Sequence, residues 1–301
     1  MNFGELGGKL FSEAFPEKQK LWNKERENFI ETLKKYNVEV LRPRKLTEKE
    51  KNEEIGISNF FVRDPFFTIG NFIIEGSLRA RYRRNEVLTV REILLEEAKN
   101  PNTTYISTPS VDNSKGVTSE EGPFLEGGDV LVSGKHILVG NSGLASNEKG
   151  YLWLKNLLSD FNYSVEQVEL ASDVLHLDCA LSIVKDGLII VSEESLINNI
   201  PNIFKDWDKI FVPHKDVKYL GINGLSISDS VYITDIAVKD TIGRQLEDHG
   251  IKVEYLDFKI SRSLGGGFRC SSQVLLRREK SNQQHYRFLL KGITTMSYLI
   301  R

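Results

Sequence analysis

The stretch DVLVSGKHILV at residues 129–139 contains two largely apolar runs on either side of a short polar turn. Tight hairpins of this kind favour Gly, Asn and Asp at the turn because these residues tolerate a positive φ. Apolar residues at helical spacing follow over residues 149–160. This part of the chain therefore predicts two antiparallel strands and then an amphipathic helix.

The same pattern recurs along the chain. It predicts further strand pairs at 66–74, 180–191 and 225–234 and further helices at 86–98 and 240–249. A fifth strand, at 272–276, is expected to pair with the N-terminal part, where the pattern predicts a helix at 20–36 and a strand at 38–41. Such repetition leaves few strand edges exposed and favours one closed, radially repeated α/β domain over residues 1–301.

The composition excludes several partners and locations. Forty basic residues stand against forty-two acidic ones, and the formal net charge of −2 offers no field for nucleic acid. Two cysteines in 301 residues make no disulfide framework. No apolar run has the roughly 18 residues that a membrane span needs, and the first residues lack the pattern of a signal peptide. We expect a cytoplasmic protein with free thiols and no membrane or nucleic-acid partner.

Reactive side chains stand near the start of a strand in each predicted unit. They are Asp64, Glu126, Asp129, His176, Asp178, Asn223 and Cys270. In a radial repeat, equivalent strand ends converge on the axis, so we expect these side chains to line one pocket. Cys270 follows three glycines at 265–267, which allow the backbone to approach a ligand closely.

This combination predicts a cationic ligand. Carboxylates that are buried together repel one another unless a cation lies between them. A planar guanidinium suits them because it pairs with carboxylates in a bidentate way. A Cys270 thiolate is the natural nucleophile toward its electron-poor carbon, and the bound cation lowers the pKa of the thiol. His176 then serves as general acid for the leaving nitrogen and activates the second reactant, with no metal or organic cofactor.

Several of these residues also have a purely structural interpretation. Asp64 before Pro65 and the segment at 126–129 are typical of turns, and many free cysteines are small buried apolar groups. The glycines at 265–267 resemble a phosphate-binding loop only weakly, because they lack its order and do not begin a helix.

A metal site at His176, Asp178 and Cys179 is a further alternative. Side chains alternate along a strand, so Cys179 is expected to face away from the other two, which disfavours a metal. The irregular stretch at 100–122 is interpreted either as a binding loop or as a surface insertion.

With these motifs the chain resembles the guanidino-group modifying superfamily of arginine deiminases, dimethylarginine dimethylaminohydrolases, agmatine deiminases and amidinotransferases. The similar segments are Phe61-Val62-Arg63-Asp64-Pro65-Phe66, Glu126-Gly127-Gly128-Asp129-Val130-Leu131, His176-Leu177-Asp178 and Cys270. The resemblance covers roughly residues 57–278. It implies a five-bladed pseudo-symmetric α/β propeller built from ββαβ-type repeats.

The resemblance also implies roles for individual residues. Cys270 falls on the nucleophile and His176 on the catalytic histidine, while Asp64 and Glu126 correspond to residues that hold guanidinium nitrogens. Asp178 matches a further substrate-binding aspartate. Dimethylarginine hydrolases usually lack this aspartate, so its presence indicates an unsubstituted guanidinium end.

Other positions bear on the far end of the substrate. Asp129 is expected to bind substrate as a further carboxylate of the pocket, and Arg83 resembles the arginine that binds the amino-acid carboxylate in deiminases. The second arginine of deiminases is missing at 141–145. The segment at 263–268 is closer to glycine amidinotransferases, although 192–195 lacks the basic residue that they use.

The sequence therefore favours a Cys-dependent hydrolase of arginine or a related small guanidino compound, acting through a covalent amidino–cysteine intermediate. An amidinotransferase, which passes the amidino group to an amine, is the alternative. A non-catalytic propeller scaffold is a remote third interpretation, because the full catalytic set is present. The sequence leaves a homodimer open.

Overall fold

The strands form five sheets of three strands each in the part of the chain that the structure describes. The computed structural model describes residues 10–51, 57–112, 114, 121–276 and 287–290. The strands are β1 (Glu39–Leu41), β2 (Phe66–Ile69), β3 (Phe72–Glu75), β4 (Thr104–Ser107), β5 (Val130–Ser133), β6 (His136–Asn141), β7 (Ser164–Glu169), β8 (Leu181–Lys185), β9 (Leu188–Val191), β10 (Asp208–Phe211), β11 (Leu225–Ser228), β12 (Val231–Asp235), β13 (Lys252–Leu256), β14 (Ser272–Leu276) and β15 (Arg287–Leu290).

Each sheet has the same connectivity. An antiparallel hairpin leads into a third strand that lies parallel to the second, as in β2, β3 and β4, where Ile74 lies opposite both Phe67 and Ile106. The pattern recurs in β5-β6-β7, β8-β9-β10 and β11-β12-β13. The last sheet joins both ends of the described chain, because β14 pairs antiparallel with β15 and β1 lies parallel to β15. The predicted five-bladed α/β propeller is confirmed.

The helices lie close to where the sequence predicted them, but several of their boundaries differ. They are α1 (Phe11–Ala14), α2 (Pro16–Lys35), α3 (Arg91–Glu97), α4 (Glu148–Leu158), α5 (Leu177–Ala180), α6 (His214–Val217), α7 (Arg244–Asp248) and α8 (Lys259–Ser263). The helix predicted at 86–98 starts within a 3-10 segment, Arg81–Thr89. The one predicted at 240–249 starts as a π-helical turn and ends at Gly250, whose φ of 74° suits a helix C-terminus.

The irregular stretch predicted at 100–122 contains a strand. Thr104 to Ser107 form β4 and pair with β3, because an extended third strand completes the sheet. Residues 113 and 115–120 of that stretch lie outside the described residues. The prediction of one domain over 1–301 likewise includes residues that are not described, and it stays a prediction.

The first strands of the sheets contact one another through side-chain hydrogen bonds. Thr68 Oγ1 in β2 donates to the Val274 carbonyl in β14 at 2.9 Å, and Ser226 Oγ in β11 donates to the Val184 carbonyl in β8 at 2.6 Å. The longer helices cover the outside, as where Leu154 of α4 is fully buried in the apolar cluster of its sheet. This arrangement places the starts of the inner strands, and the polar residues before them, around one centre.

Helix α8 leads into the glycines that precede Cys270, and α2 fixes its start. Glu25 of α2 accepts hydrogen bonds from the backbone N–H groups of Ile260 and Ser261, at 2.6 and 2.9 Å, and from Ser261 Oγ at 2.7 Å. These donors would otherwise be unsatisfied at the first turn of a helix. The segment that carries the cysteine is therefore held at its start by a buried carboxylate.

Candidate active site

A cavity of about 720 Å³ opens at the centre of the propeller. Asp64, Arg83, His176 and Cys270 line it, so four of the predicted site residues meet in one space. The remaining four, Glu126, Asp129, Asp178 and Asn223, are buried behind this wall, each at most 2% exposed. A layer of carboxylates therefore lies behind the cavity wall. The negative charges of this layer act on the cavity, and its oxygens hold neighbouring residues in place.

The glycines before Cys270 are required by a positive φ at Gly265 and by close contacts at Gly266 and Gly267. Gly265 has a φ of 90°, and a Cβ at Gly266 would lie 2.3 Å from the Phe61 ring. A Cβ at Gly267 would lie 2.7 Å from the Asn223 carbonyl oxygen. Asn223 Oδ1 in turn accepts a hydrogen bond of 3.0 Å from the Cys270 backbone N–H. Asn223, predicted as a member of the site, thus positions the cysteine.

Two buried carboxylates surround the His176 ring. Nε2 lies 2.9 Å from Glu126 Oε2, and Nδ1 lies 3.8 Å from Asp64 Oδ1. Gly128 lets the ring lie there, since a Cβ at that position would be 2.7 Å from the imidazole. Burial alone would lower the pKa of His176, but the charges of Asp64, Glu126 and Asp129 raise it to about 10. His176 is therefore an imidazolium at neutral pH, ready to donate a proton.

Arg83 lies among carboxylates. Its Nη2 donates to Asp64 Oδ2 at 2.7 Å, its Nε and Nη2 pair with Glu86 at 3.0 Å each, and its Nη1 lies 3.5 Å from Glu126 Oε2. Burial opposes ionisation of Asp64, but His176 and Arg83 lower its pKa to about 2. Because three carboxylates occupy its donors, the position of Arg83 differs from the one expected for a residue that binds a substrate carboxylate.

Asp129 holds the backbone of the site. Its two oxygens accept the N–H groups of Leu177 and Ser146, at 2.9 and 3.1 Å. Burial raises the pKa of Asp129 to about 7. Its carboxylate lies outside the cavity lining, so its place differs from that of the substrate ligand the sequence predicted, and it fixes the loops that carry Glu126 and His176.

Asp178 is joined to Arg269, the residue directly before the cysteine. Arg269 Nε donates to Asp178 Oδ2 at 3.2 Å, and its Nη2 donates to the Val130 carbonyl at 3.2 Å. Burial raises the pKa of Asp178, while Arg269 and His176 act in the opposite direction. Arg269 therefore helps a fully buried carboxylate to remain ionised beside Cys270.

One prediction about local structure is wrong. The sequence placed His176 and Asp178 on one face of a strand and Cys179 on the other, but α5 spans Leu177–Ala180 and the strand begins only at Leu181. The N–H groups of Leu177 and Asp178 bond to Asp129 Oδ1 and the Gly128 carbonyl, which favours a helical turn over an extended chain. Cys179 accordingly lines the same cavity as Cys270.

One described trio has the spacing of a metal site. Asp64, Glu126 and His176 offer ligand atoms that all lie within 4.8 Å of one another. Arg83, however, donates to Asp64 and lies near Glu126, so a metal ion would face a guanidinium at its own ligands. The donor set fits a guanidinium better than a metal ion.

Comparison with known proteins identifies the family. A family model described as N,N dimethylarginine dimethylhydrolase, eukaryotic, matches residues 10–276. The chain belongs to this family. It is a guanidino-group modifying enzyme, and the resemblance seen in the sequence is confirmed.

Relatives in this superfamily include both transferases and hydrolases. The inosamine-phosphate amidinotransferase 1 of Streptomyces griseus is 29% identical over 257 residues, which cover 77% of this chain and 72% of that protein. An amidinotransferase of the saxitoxin biosynthetic pathway from Microseira wollei has a TM-score of 0.74 at 25% identity, covering 90% of this chain and 87% of its own. The dimethylarginine dimethylaminohydrolase of Pseudomonas aeruginosa has a TM-score of 0.64 at 20% identity, with 83% and 87% covered, which shows the shared fold.

Sequence reasoning missed two features of this family member's site. Arg269 directly precedes Cys270 in the sequence, and this position next to the nucleophile was the available signal. No signal in the sequence indicated that Cys179 lines the cavity, because its position follows from the helical turn of α5. None of the helices in the described ranges has the length and apolar character that crossing a membrane requires.

Replacing Glu126 by Gln is expected to lower the pKa of His176. The pKa of about 10 lies above the ordinary 6.5, so His176 contributes stability fully below about pH 6.5 and loses it as pH rises through about 10. The free energy of unfolding, measured with urea between these pH values, should fall less steeply with pH in Glu126→Gln than in wild type. Glu166→Gln, at an exposed glutamate, is the control, and an unchanged slope in Glu126→Gln would contradict the pairing.

Replacing Arg269 by Met is expected to destabilise the fold by about 3–5 kcal/mol, because it leaves Asp178 as an uncompensated buried charge. Adding Asp178→Asn should recover part of that loss. Urea unfolding of the two single variants and the double variant measures the coupling. Strictly additive losses would show that the ion pair between the two side chains contributes nothing.

Proposed function

We propose that this enzyme transfers the amidino group of a small guanidino compound through a covalent bond to Cys270. The observation that carries the proposal is the meeting of Cys270, His176 and Asp64 in one cavity. Burial raises the pKa of Cys270, and the charges of Asp178 and Asp64 raise it further. Both carboxylates therefore act on the sulfur from nearby, and the free enzyme holds a neutral thiol.

A bound guanidinium reverses this electrostatic effect. A carboxylate has about four lone-pair sites, and Asp64 accepts bonds only from Arg83 and the Gly128 N–H among the hydrogen bonds described. It retains acceptors for a substrate N–H, whereas Asp178 is fully buried outside the cavity lining and acts on a bound cation through its charge. The positive charge of the substrate then lowers the pKa of Cys270, and the thiol proton is released to solvent through the open cavity.

The chemical steps follow from these protonation states. The Cys270 thiolate forms a bond to the guanidinium carbon, and the imidazolium of His176 gives its proton to the nitrogen of the leaving amine. The C–N bond breaks, the amine departs and a cationic amidino thioether remains. Neutral His176 then takes a proton from the second reactant, which attacks the same carbon and restores the thiolate.

An amine is the second reactant that the comparisons favour. The cavity of about 720 Å³ has room for an acceptor beside the amidino group. The relatives at 29% and 28% identity are amidinotransferases, as is the solved structure with a TM-score of 0.74 at 25% identity. We therefore favour amidino transfer over hydrolysis, which the sequence alone had favoured.

Hydrolysis is the second candidate, and the family model supports it. That model describes a dimethylarginine hydrolase and matches residues 10–276. With water as the second reactant, the unsubstituted amidino thioether gives urea. A ureido product forms when ammonia is the leaving group, because the substituted amidino group then stays on Cys270 until water attacks its carbon. A cytoplasmic location, a homodimer and the absence of a nucleic-acid partner stay predictions.

Product analysis distinguishes the two fates. The enzyme is incubated with arginine, agmatine or a guanidino acid, alone or with glycine, ornithine or lysine as added amine, and the products are identified by mass spectrometry. We expect turnover to rise strongly when a suitable amine is present, with a new guanidino product. Urea or a ureido product formed at an undiminished rate without amine would favour hydrolysis, and no turnover of any compound would contradict the proposed function. Cys270→Ser is the control for background reaction.

The proposed action of Asp64 and Asp178 on the bound guanidinium, here called the carboxylate clamp, has its own test. Asp64→Asn is expected to weaken binding of the guanidinium about 10- to 100-fold, because it removes a charge-assisted hydrogen bond. Asp178→Asn should also weaken binding, because it removes a buried negative charge close to the cation. In the free enzyme the same changes should lower the pKa of Cys270, because a repelling charge is lost. Iodoacetamide reaction against pH, in a Cys179→Ala background, measures that pKa.

Asp160→Asn, at an exposed carboxylate remote from the cavity lining, is the matched control for these variants. Unchanged substrate affinity in both Asp64→Asn and Asp178→Asn would contradict the clamp.

A further inference from the structure

The cavity has opposite charge at its two ends. Its buried end carries Asp64, which is 3% exposed, next to Cys270 at 5%. Two exposed lysines, Lys215 and Lys218, line the same cavity from α6 and the residue that follows it. Neither lysine forms an ion pair with any residue that the structure describes. The outer wall thus offers two cationic groups to a ligand whose cationic end reaches Cys270.

Helix α6 is fixed at the cavity wall by its first residue. His214 Nδ1 lies 2.8 Å from Ser195 Oγ, and His214 Nε2 lies 3.0 Å from Asp173 Oδ2. The His214 backbone N–H donates to Glu194 Oε2 at 3.0 Å. These contacts engage the carboxylates of Asp173 and Glu194 with His214. They also hold the lysines that follow it in a defined place at the mouth.

The wall between the two ends is mainly apolar. Phe60, Phe61, Leu175 and Leu264 are among the residues that line the cavity, so it suits a methylene chain. Arg83 also lines the cavity, but four of its five N–H donors bond to Asp64, Glu86 and Glu126, which balance its charge. The cations available to the far end of a ligand are therefore the two lysines of the α6 segment.

We propose that Lys215 and Lys218 bind an anionic group, a carboxylate or a phosphate, at the far end of the guanidino substrate. The substrate class is then a guanidinium joined through an apolar chain to an anion, and a dication with an ammonium at that end is disfavoured. This inference rests on the proposed function, because it takes the guanidinium to lie at Cys270.

Three compounds with the same four-methylene chain test the anion site. They are 5-guanidinopentanoate, 4-guanidinobutyl phosphate and agmatine, which end in a carboxylate, a phosphate and an ammonium. The rate of adduct formation on Cys270 is measured against substrate concentration by intact-protein mass spectrometry, which requires no acceptor. We expect half-saturation at a concentration about five- to tenfold lower for at least one anionic compound than for agmatine. The preferred anion identifies which of the two chemistries is used.

Variants assign the preference to the lysines. In Lys215→Met/Lys218→Met, half-saturation by the preferred anionic compound should rise about five- to tenfold, while the limiting rate of adduct formation stays unchanged. Agmatine should bind as well as before or better. The arginine pair Lys215→Arg/Lys218→Arg should keep the preference, and Lys149→Met, at an exposed lysine outside the cavity lining, is the matched control.

The two possible failures are distinguishable. Absence of a Cys270 adduct with all three compounds would overturn the proposed function and this inference together. Adduct formation with equal half-saturation for agmatine and the anionic compounds would overturn the anion site alone, as would a preference that survives loss of both lysines.

Discussion

The burial of several carboxylates around one imidazole is the constraint on which this site depends. Asp64 and Glu126 lie on two sides of His176, and their charges hold the ring as an imidazolium. Such a cluster is stable only if cations compensate it. The chain supplies Arg83 on one side and Arg269 on the other. Asp64 lines the cavity and has acceptor sites left over, and a substrate guanidinium would use these.

The propeller brings these groups together because each repeat contributes the segment before an inner strand. Glu126 to Asp129 precede β5, α5 precedes β8, and Cys270 precedes β14. Hydrogen bonds between the repeats then fix the side chains, as where Asp129 binds the N–H of Leu177 and Asn223 binds that of Cys270. The same contacts that join the repeats thus set the geometry of the reacting groups.

The sequence predicts the hairpins well because they follow from local patterns that repeat, and four of the residues predicted for the site line one cavity. It could not predict β4, because β4 lies in a stretch of irregular pattern and helix α3 separates it from its partner strand β3. The helical turn of α5 depends on acceptors from another repeat, Asp129 and Gly128, and the alternation expected for a strand therefore failed. Arg83 was identified as a residue of the site, but its three carboxylate partners are set by packing that no linear motif displays.

The central claim is that Cys270 forms a covalent bond to the carbon of a guanidinium. The most direct measurement uses a guanidino substrate with a ¹³C-labelled guanidinium carbon, acid quenching within the first turnover and mass spectrometry of the digested protein. The account predicts the label on the peptide that contains Cys270, and none on that peptide in Cys270→Ser. Turnover of the labelled substrate with an unlabelled Cys270 peptide at every quench time, or label on Cys179 instead, would contradict the account.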